Sequence, residues 1–329
     1  MPLTRRSLGG FALALGAVLA PFAYAAADDF PSRPVHLIVP YAPGGSGDLI
    51  ARLLGDKLST LWGQQVAVED KPGAGGLIGT EAAAHATPDG YTLYLATDGP
   101  LTVAATLNGH VPYDWKRDFA PVSMITVGYQ VLIVDQNLPV RTLADFIALA
   151  KAKPGALNFA SIGIGTAPHL AAELFLSVAH LNLTHVPYNG SSAQAIRAMI
   201  AGDVAMFMVG TSTAVPFIKN GNVRALAVTS TEGRVDGLPD VPTFAESGLP
   251  QVDYSLWFAI LVPSATPPDI VKKLNADINK VVADPEYQKT LKARGFEAKG
   301  SMPGELAKFM EKDYLKNREL ILKLGLRVD

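Results

Sequence analysis

Apolar positions along the chain keep two rhythms, one of strands and one of helices. Val35-His36-Leu37-Ile38-Val39 reads as a buried strand, and Ile50, Leu53, Leu54, Leu58 and Leu61 then fall on one helical stripe that Gly63 closes. The same grammar repeats. A strand over 66–69 meets the loop Lys71-Pro72-Gly73-Ala74-Gly75-Gly76, a helix over 77–85 follows, and the turn Asp89-Gly90 leads to a strand over 91–97 that runs into Asp98-Gly99-Pro100. Within 118–135 two adjoining apolar runs, 121–127 and 131–134, have no helix between them, which predicts a first crossing into a second domain.

Beyond the crossing the pattern restarts. It predicts a helix over 143–153 stopped by Pro154-Gly155, a strand over 157–161, and a helix carrying Leu170, Leu174, Phe175 and Val178. A strand over 183–186, the loop Pro187-Tyr188-Asn189-Gly190-Ser191-Ser192, a helix to Ala201 and strands over 204–209 and 223–229 complete that half. A turn-rich stretch, 232–250, leads back to a strand over 257–262 that rejoins the first sheet. Helices over 269–283, 286–293 and 305–324 then pack as support, with Gly325 ending the last. Alternation of this kind gives mostly parallel α/β sheets, with ligands held at the strand carboxyl ends.

Two loops share one design at those ends. Val39-Pro40-Tyr41-Ala42-Pro43-Gly44-Gly45-Ser46-Gly47-Asp48 and Asn158-Phe159-Ala160-Ser161-Ile162-Gly163-Ile164-Gly165-Thr166-Ala167-Pro168-His169 both pass from strand through glycines into a helix start. Glycines let backbone amides crowd outward, and the helix start adds unpaired N–H groups and partial positive charge. Each is an anion seat without a charged side chain. Two seats predict one ligand held between two lobes. Asp48 reads as a helix cap before a ligand contact, and His169 stands where it can either donate to an anion or cap and pack. Tyr188 is placed at the cleft. His36, His85, His110, His180 and His185 show no metal spacing and read as surface or packing residues, and Trp62, Trp115 and Trp257 as core or hinge cover.

Residues 1–25 carry the marks of an export signal: Arg5 and Arg6, an apolar core over 8–20, and the small-x-small site Ala23-Tyr24-Ala25. Thr4-Arg5-Arg6-Ser7-Leu8 also resembles a twin-arginine signal, although Gly9 and Gly10 follow it, so the export route stays open. A membrane anchor is disfavoured by the glycines, Pro21 and the cleavage pattern. Cleavage after Ala25 lowers the basic count from 28 to 26 against 30 acidic residues, a charge of −4. No basic run with interleaved aromatics occurs, so nucleic-acid binding has no support. The sequence has 0 cysteines, which removes disulfides, thiolate metal sites and lipoprotein anchoring.

Enzyme readings fare poorly. Gly163-Ile164-Gly165-Thr166-Ala167-Pro168 lacks the third glycine of a dinucleotide fingerprint, no loop has the P-loop lysine, and Ser46 does not sit in a nucleophile elbow. A hydrolase or nucleotide-using enzyme is therefore the alternative rather than the expectation.

In their order along the chain, Pro31-Ser32-Arg33-Pro34, Pro43-Gly44-Gly45, Pro72-Gly73-Ala74-Gly75-Gly76, Pro88-Asp89-Gly90-Tyr91-Thr92-Leu93, His185-Val186-Pro187-Tyr188, Arg224-Ala225-Leu226-Ala227-Val228-Thr229 and Leu238-Pro239-Asp240-Val241-Pro242-Thr243 resemble the substrate-binding proteins of tripartite tricarboxylate transporters, the Bug receptors. The resemblance implies a two-lobed periplasmic binding protein of the type II-like class, two α/β domains joined by two crossing strands. It assigns residues 26–125 and 250–329 to the first domain and 126–249 to the second. It further implies a non-catalytic, cofactor-free and metal-free monomer in the periplasm that passes a small carboxylate to a membrane permease, with a signalling kinase as a further possible partner.

By the same resemblance the ligand carboxylate would meet Tyr41, Ala42, Gly44, Gly45 and Asp48 of the first loop and Ser161, Gly163, Gly165, Thr166 and His169 of the second. The far end would meet Thr97, Asp98, Tyr188 and Gly210. Many relatives place an acid where this chain has Val209-Gly210-Thr211, so a ligand bearing an amino group is disfavoured.

Overall fold

The computed structural model describes residues 30–107 and 111–326, so the leader, its cleavage site and His110 lie outside the described residues. Strand β1 (Val35–Val39) feeds helix α1 (Ser46–Trp62), whose Ile50, Leu54 and Leu58 are buried and which ends on Gly63 at φ 62°, the left-handed stop. Strand β2 (Val66–Asp70), a 3-10 turn Ala74–Gly76, helix α2 (Leu77–Ala84) and strand β3 (Thr92–Ala96) follow. After a π-helical turn Gly99–Val103 come two short helices, α3 (Ala104–Leu107) and α4 (Trp115–Asp118).

The two apolar runs at the crossing are one strand, β4 (Phe119–Asp135). Helix α5 (Leu143–Ala152) starts on a reciprocal cap between Thr142 and Asp145. Strand β5 (Asn158–Ser161), helix α6 (Ala167–Ala179), strand β6 (Thr184–Pro187), helix α7 (Ser192–Ile200), strand β7 (Met206–Gly210), helix α8 (Thr211–Lys219) and strand β8 (Val223–Val228) build the second half. Strand β9 (Ser255–Pro263), helices α9 (Pro268–Val282) and α10 (Pro285–Lys292), strand β10 (Phe296–Ala298) and helix α11 (Pro303–Leu324) complete the chain.

The strands run in the order β2-β1-β3-β9-β4-β7-β5-β6, with β8 and β10 paired to β4 beside this path. Within each lobe the pairs β1–β2, β1–β3, β5–β6 and β5–β7 are parallel, as the alternation predicts. Around the crossing the sheet is antiparallel instead, because β9 returns against both β3 and β4 and β7 and β8 run against β4. The handover is abrupt. β4 pairs with β9 up to Tyr129↔Ser255, and the next residue begins the ladder with β7 at Gln130↔Gly210.

A side chain ties the two crossing segments together at this point. Thr229 Oγ1 accepts from the Gln130 amide (3.0 Å) and donates to the Tyr254 carbonyl (2.7 Å), so both segments are held in register where they pass between lobes.

The trailing helices support the first half. Asn275 of α9 donates to the Val122 carbonyl of β4 (2.7 Å) and to the Ser301 carbonyl (2.8 Å). Trp257 is buried edge-on against Phe309 of α11, the core role its sequence context gave it. Four elements escape the sequence pattern: the one-turn helices α3 and α4, α8, whose Thr-Ser-Thr start and internal Pro216 hide a helix, and β10, three residues long.

Phe296 of β10 lies over Gly128 of β4, where an added Cβ would stand 2.3 Å from its ring. Gly128→Ala is therefore expected to destabilise the fold by about 1–3 kcal/mol through overpacking, read as a lowered urea midpoint at unchanged slope.

Candidate functional site

The first loop places its glycines at the start of α1. Gly45 is the N-cap, so Asp48 sits inside the first turn rather than at the cap, and its Oδ2 reaches back to accept from the Gly44 amide at 2.9 Å. Arg52 pairs with the same carboxylate. Asp48 is thus committed to the loop it stabilises.

The second loop is held by its own side chains. Ser161 Oγ accepts from the Gly163 amide (3.0 Å) and lies 2.6 Å from His185 Nε2, while Thr166 Oγ1 donates to the Gly163 carbonyl (2.7 Å) at the N-cap of α6. His169, only 4% exposed, accepts from the Gly165 amide through Nδ1 at 3.2 Å and packs against His185 with ring centroids 4.4 Å apart. Burial first, and the neighbouring His185 second, lower its pKa to about 3, so the ring is neutral and serves the loop. Burial lowers His185 to about 4. His185 is a supporting residue that the sequence pattern left as plain packing; its place two strand residues behind Tyr188 gave no signal of a bond to Ser161.

Between the loops lies a cleft with about 470 Å³ of empty space, counted to its solvent-facing mouth. Its wall takes the starts of four helices: Gly45, Ser46 and Gly47 at α1, Ala167 and Pro168 at α6, Ser192 at α7 and Gly210 at α8. The first-turn amides of a helix have no intrahelical partner and carry partial positive charge. Tyr41, Thr97 and Gln130 add polar groups, and Ile162, Val209, Leu256 and Phe258 close the remainder with apolar surface. Among the described residues no charged side chain lines the cleft. Burial first, and Asp98 second, push the Tyr41 hydroxyl well above its ordinary pKa, keeping it a neutral donor.

Of the residues singled out in the sequence, Tyr41, Gly45, Thr97 and Gly210 stand on this wall. Asp98 turns away from it, accepting from Thr97 Oγ1 (2.9 Å) and Tyr254 Oη (2.6 Å), with its pKa raised by burial. Tyr188 is half-buried against the second lobe's core, its amide donating to the Ser161 carbonyl.

Ala42, Gly163 and Gly165 belong to the seam between lobes. The Ala42 amide donates to the Gly190 carbonyl (3.3 Å), a Cβ on Gly163 would meet Gly75 Cα at 3.3 Å, and one on Gly165 would meet Leu107 at 2.6 Å. Gly44 is exposed at the rim. Gln130, Leu256 and Phe258 come from the crossing strands and were missed; Gln130, a polar residue at the joint of two apolar runs, was the signal available.

The seam is closed at α8 as well. Ser46 Oγ lies 2.8 Å from Ser212 Oγ and 3.1 Å from Thr213 Oγ1. This approach needs a glycine opposite, since a Cβ on Gly210 would stand 2.3 Å from Ser46 Oγ.

A lobed α/β frame of this kind has counterparts among known proteins. Residues 50–326 match the family described as "Tripartite tricarboxylate transporter family receptor". Protein BugT of Bordetella pertussis (strain Tohama I) is 38% identical over 295 residues, covering 89% of this chain and 87% of its own. The chain belongs to the tripartite tricarboxylate transporter receptor family.

Solved structures of similar receptors agree. R. palustris Rpa4515 with adipate has a TM-score of 0.88 at 31% identity, covering 91% of this chain and 99% of its own. MatC from Rhodopseudomonas palustris with bound malate has a TM-score of 0.83 at 29% identity, over 89% and 100%. The two-lobed periplasmic binding protein fold expected from the sequence is the fold of this receptor.

Two outcomes are expected. Gly210→Ala should leave the melting temperature of the unliganded receptor within a few degrees of wild type while weakening ligand binding about tenfold or more by calorimetry, because the lobes no longer meet at Ser46. His169, with its folded pKa below its unfolded one, contributes stability that is complete above the unfolded value of about 6.5 and lost as pH falls toward about 3. Asp313, raised to about 7 by burial and by Asp98, acts in the opposite sense over an overlapping range. The His169 share is therefore read as a difference. The stability gap between wild type and His169→Gln should widen with pH up to about 6.5, by on the order of 1–2 kcal/mol.

Proposed function

We propose that this receptor captures a small carboxylate between its lobes and delivers it to a tripartite tricarboxylate-type permease. The observation that carries this reading is the convergence of four helix N-termini on one cleft with no charged side chain on its wall. Hydrogen bonds to a charged group contribute roughly 1.5–3 kcal/mol each, and a micromolar complex needs about 8 kcal/mol. Four or five aimed donors in a cleft closed against water supply that without an arginine. The similar receptors that hold adipate and malate support the ligand class.

The protein acts in the periplasm as a monomer after cleavage at Ala25. Among the described residues no helix is long and apolar enough to cross a membrane. Residues 26–129 with 250–329 move as one lobe and 130–249 as the other; the ladder changes between Tyr129 and Gln130, four residues beyond the 125/126 boundary expected from the sequence. In the closed arrangement the carboxylate is held by Tyr41, Gly45 and the first-turn amides of α1 on one side and by the start of α6 on the other. Asp48, Ser161, Thr166 and His169 shape those loops from behind.

Binding is its whole activity. Ser46 spends its hydroxyl on Ser212 and Thr213 rather than on a base, and Ser161 with His185 is off the cleft wall, which supports a non-catalytic role. The test is a thermal-shift series on the chain from Ala26 onward, with mono-, di-, tri- and aromatic carboxylates and their amides. A binding carboxylate at 100 times its Kd should add about 2.7 kcal/mol of stability while its amide adds little. A shift by nucleotides or esters, with none by any carboxylate, would overturn the reading in favour of an enzyme.

A further inference from the structure

One polar group on the cleft wall has no partner. Gln130 is 1% exposed, and its side-chain Oε1 is buried without a hydrogen bond, although its backbone amide and carbonyl are both bonded to Thr229. Leaving a buried amide oxygen unsatisfied is costly, and a ligand that bonds to it removes the cost. The other wall hydroxyls at this end are already engaged: Thr97 donates to Asp98, and Ser46 is bonded to Ser212 and Thr213 at the start of α8. Beside Gln130 stand Val209, Leu256 and Phe258, which offer nothing to an ion.

We infer that Gln130 selects the ligand's second end, and that the cleft takes a compact monocarboxylate whose tail is uncharged, largely apolar and bears one hydroxyl or keto group paired with this amide. The inference rests on the carboxylate reading of the cleft and narrows it. Turning the amide about its last bond exchanges its acceptor and donor, so either group can be met. A second carboxylate there would leave water for one amide, three apolar side chains and the single helix start at Gly210, whose first-turn hydroxyls are already bonded to Ser46, and burying a charge so compensated is costlier than burying a carbonyl.

Position adds a mechanical consequence. Gln130 is the first residue of β4 past the change of ladder, directly opposite Gly210, so a ligand bonded to it is bonded to the joint between lobes.

Calorimetry with two matched series tests this: pentanoate, 4-oxopentanoate and pentanedioate, then hexanoate, 5-oxohexanoate and hexanedioate. The oxo acid should bind about tenfold or more tightly than both the plain acid and the diacid of its length. Gln130→Leu should remove that advantage, bringing the oxo acid's affinity within about threefold of the plain acid's in the same variant, and Gln130→Met, with a similar volume, should do the same if Leu does not fold. A diacid that binds as well as the oxo acid overturns the inference, as do variants that weaken all three acids equally. If no member of either series and no carboxylate of the wider screen binds, the carboxylate reading itself falls and takes this inference with it. Carboxylate binding in another rank order removes the inference alone.

Discussion

The backbone ladder of β4 is the constraint on which the receptor's construction depends. Its residues up to Tyr129 belong to the sheet of the first lobe and those from Gln130 to the sheet of the second. A strand hydrogen-bonded along both halves resists stretching and shear, because each slip by one residue would turn its apolar face to the wrong side. Bending where one ladder stops and the other starts breaks no pair. A bend between the lobes would thereby be confined to a short stretch, with Thr229 keeping the returning segment at Tyr254 in step with it. Two strands pinned together make a hinge with an axis, whereas one would allow twisting.

A hinge of this kind brings two glycine-bearing surfaces together, and the absence of side chains is what lets them meet. Gly210 gives Ser46 its place, Gly165 makes room for Leu107, and Gly75 and Gly163 approach backbone to backbone. The same glycines therefore serve the seam as much as the ligand. That dual use explains why a motif reading assigned Gly163 and Gly165 to the carboxylate while the structure sets them between lobes. A backbone shaped to approach an anion and a backbone shaped to approach another backbone have one sequence signature.

Much of the fold was legible because its signals are local. The stripe of α1 and its Gly63 stop, the strand β1 and the end of α5 before Pro154-Gly155 follow from periodicity and helix-breaking residues within a short stretch. What was not legible depends on pairing at a distance. The runs either side of Gln130 gave two apolar segments, and only partners from β9 on one half and β7 and β8 on the other make them one strand. The three residues of β10 are a strand only because Thr126, Val127 and Gly128 are opposite them. At the site, the family resemblance pointed to Tyr41 and Gly45, which stand on the cleft wall, but Leu256 and Phe258 reach the cleft from a strand whose sequence reads as plain core.

An anion seat built from amides has a further requirement, that nothing negative stand close behind it. Asp98 follows Thr97 on the cleft wall, and an ionised carboxylate there would oppose any bound anion through a medium of low dielectric. Burial raises the Asp98 pKa and so weakens that opposition, against the hydrogen bonds from Tyr254 and Thr97 that favour the ionised form. Asp98 is enclosed with Tyr254, Asn317 and Asp313, and burial drives the pKa values of both carboxyls upward, Asp313 to about 7. Two carboxyls in one dry cluster cannot both ionise cheaply, so each favours the neutral form of the other. The cluster also links the cleft wall to α11 through Thr102, which bonds both Asp98 and Asp313. Acidic residues at this place thus stiffen the wall through hydrogen bonds, while burial lessens their opposition to the field of the helix starts.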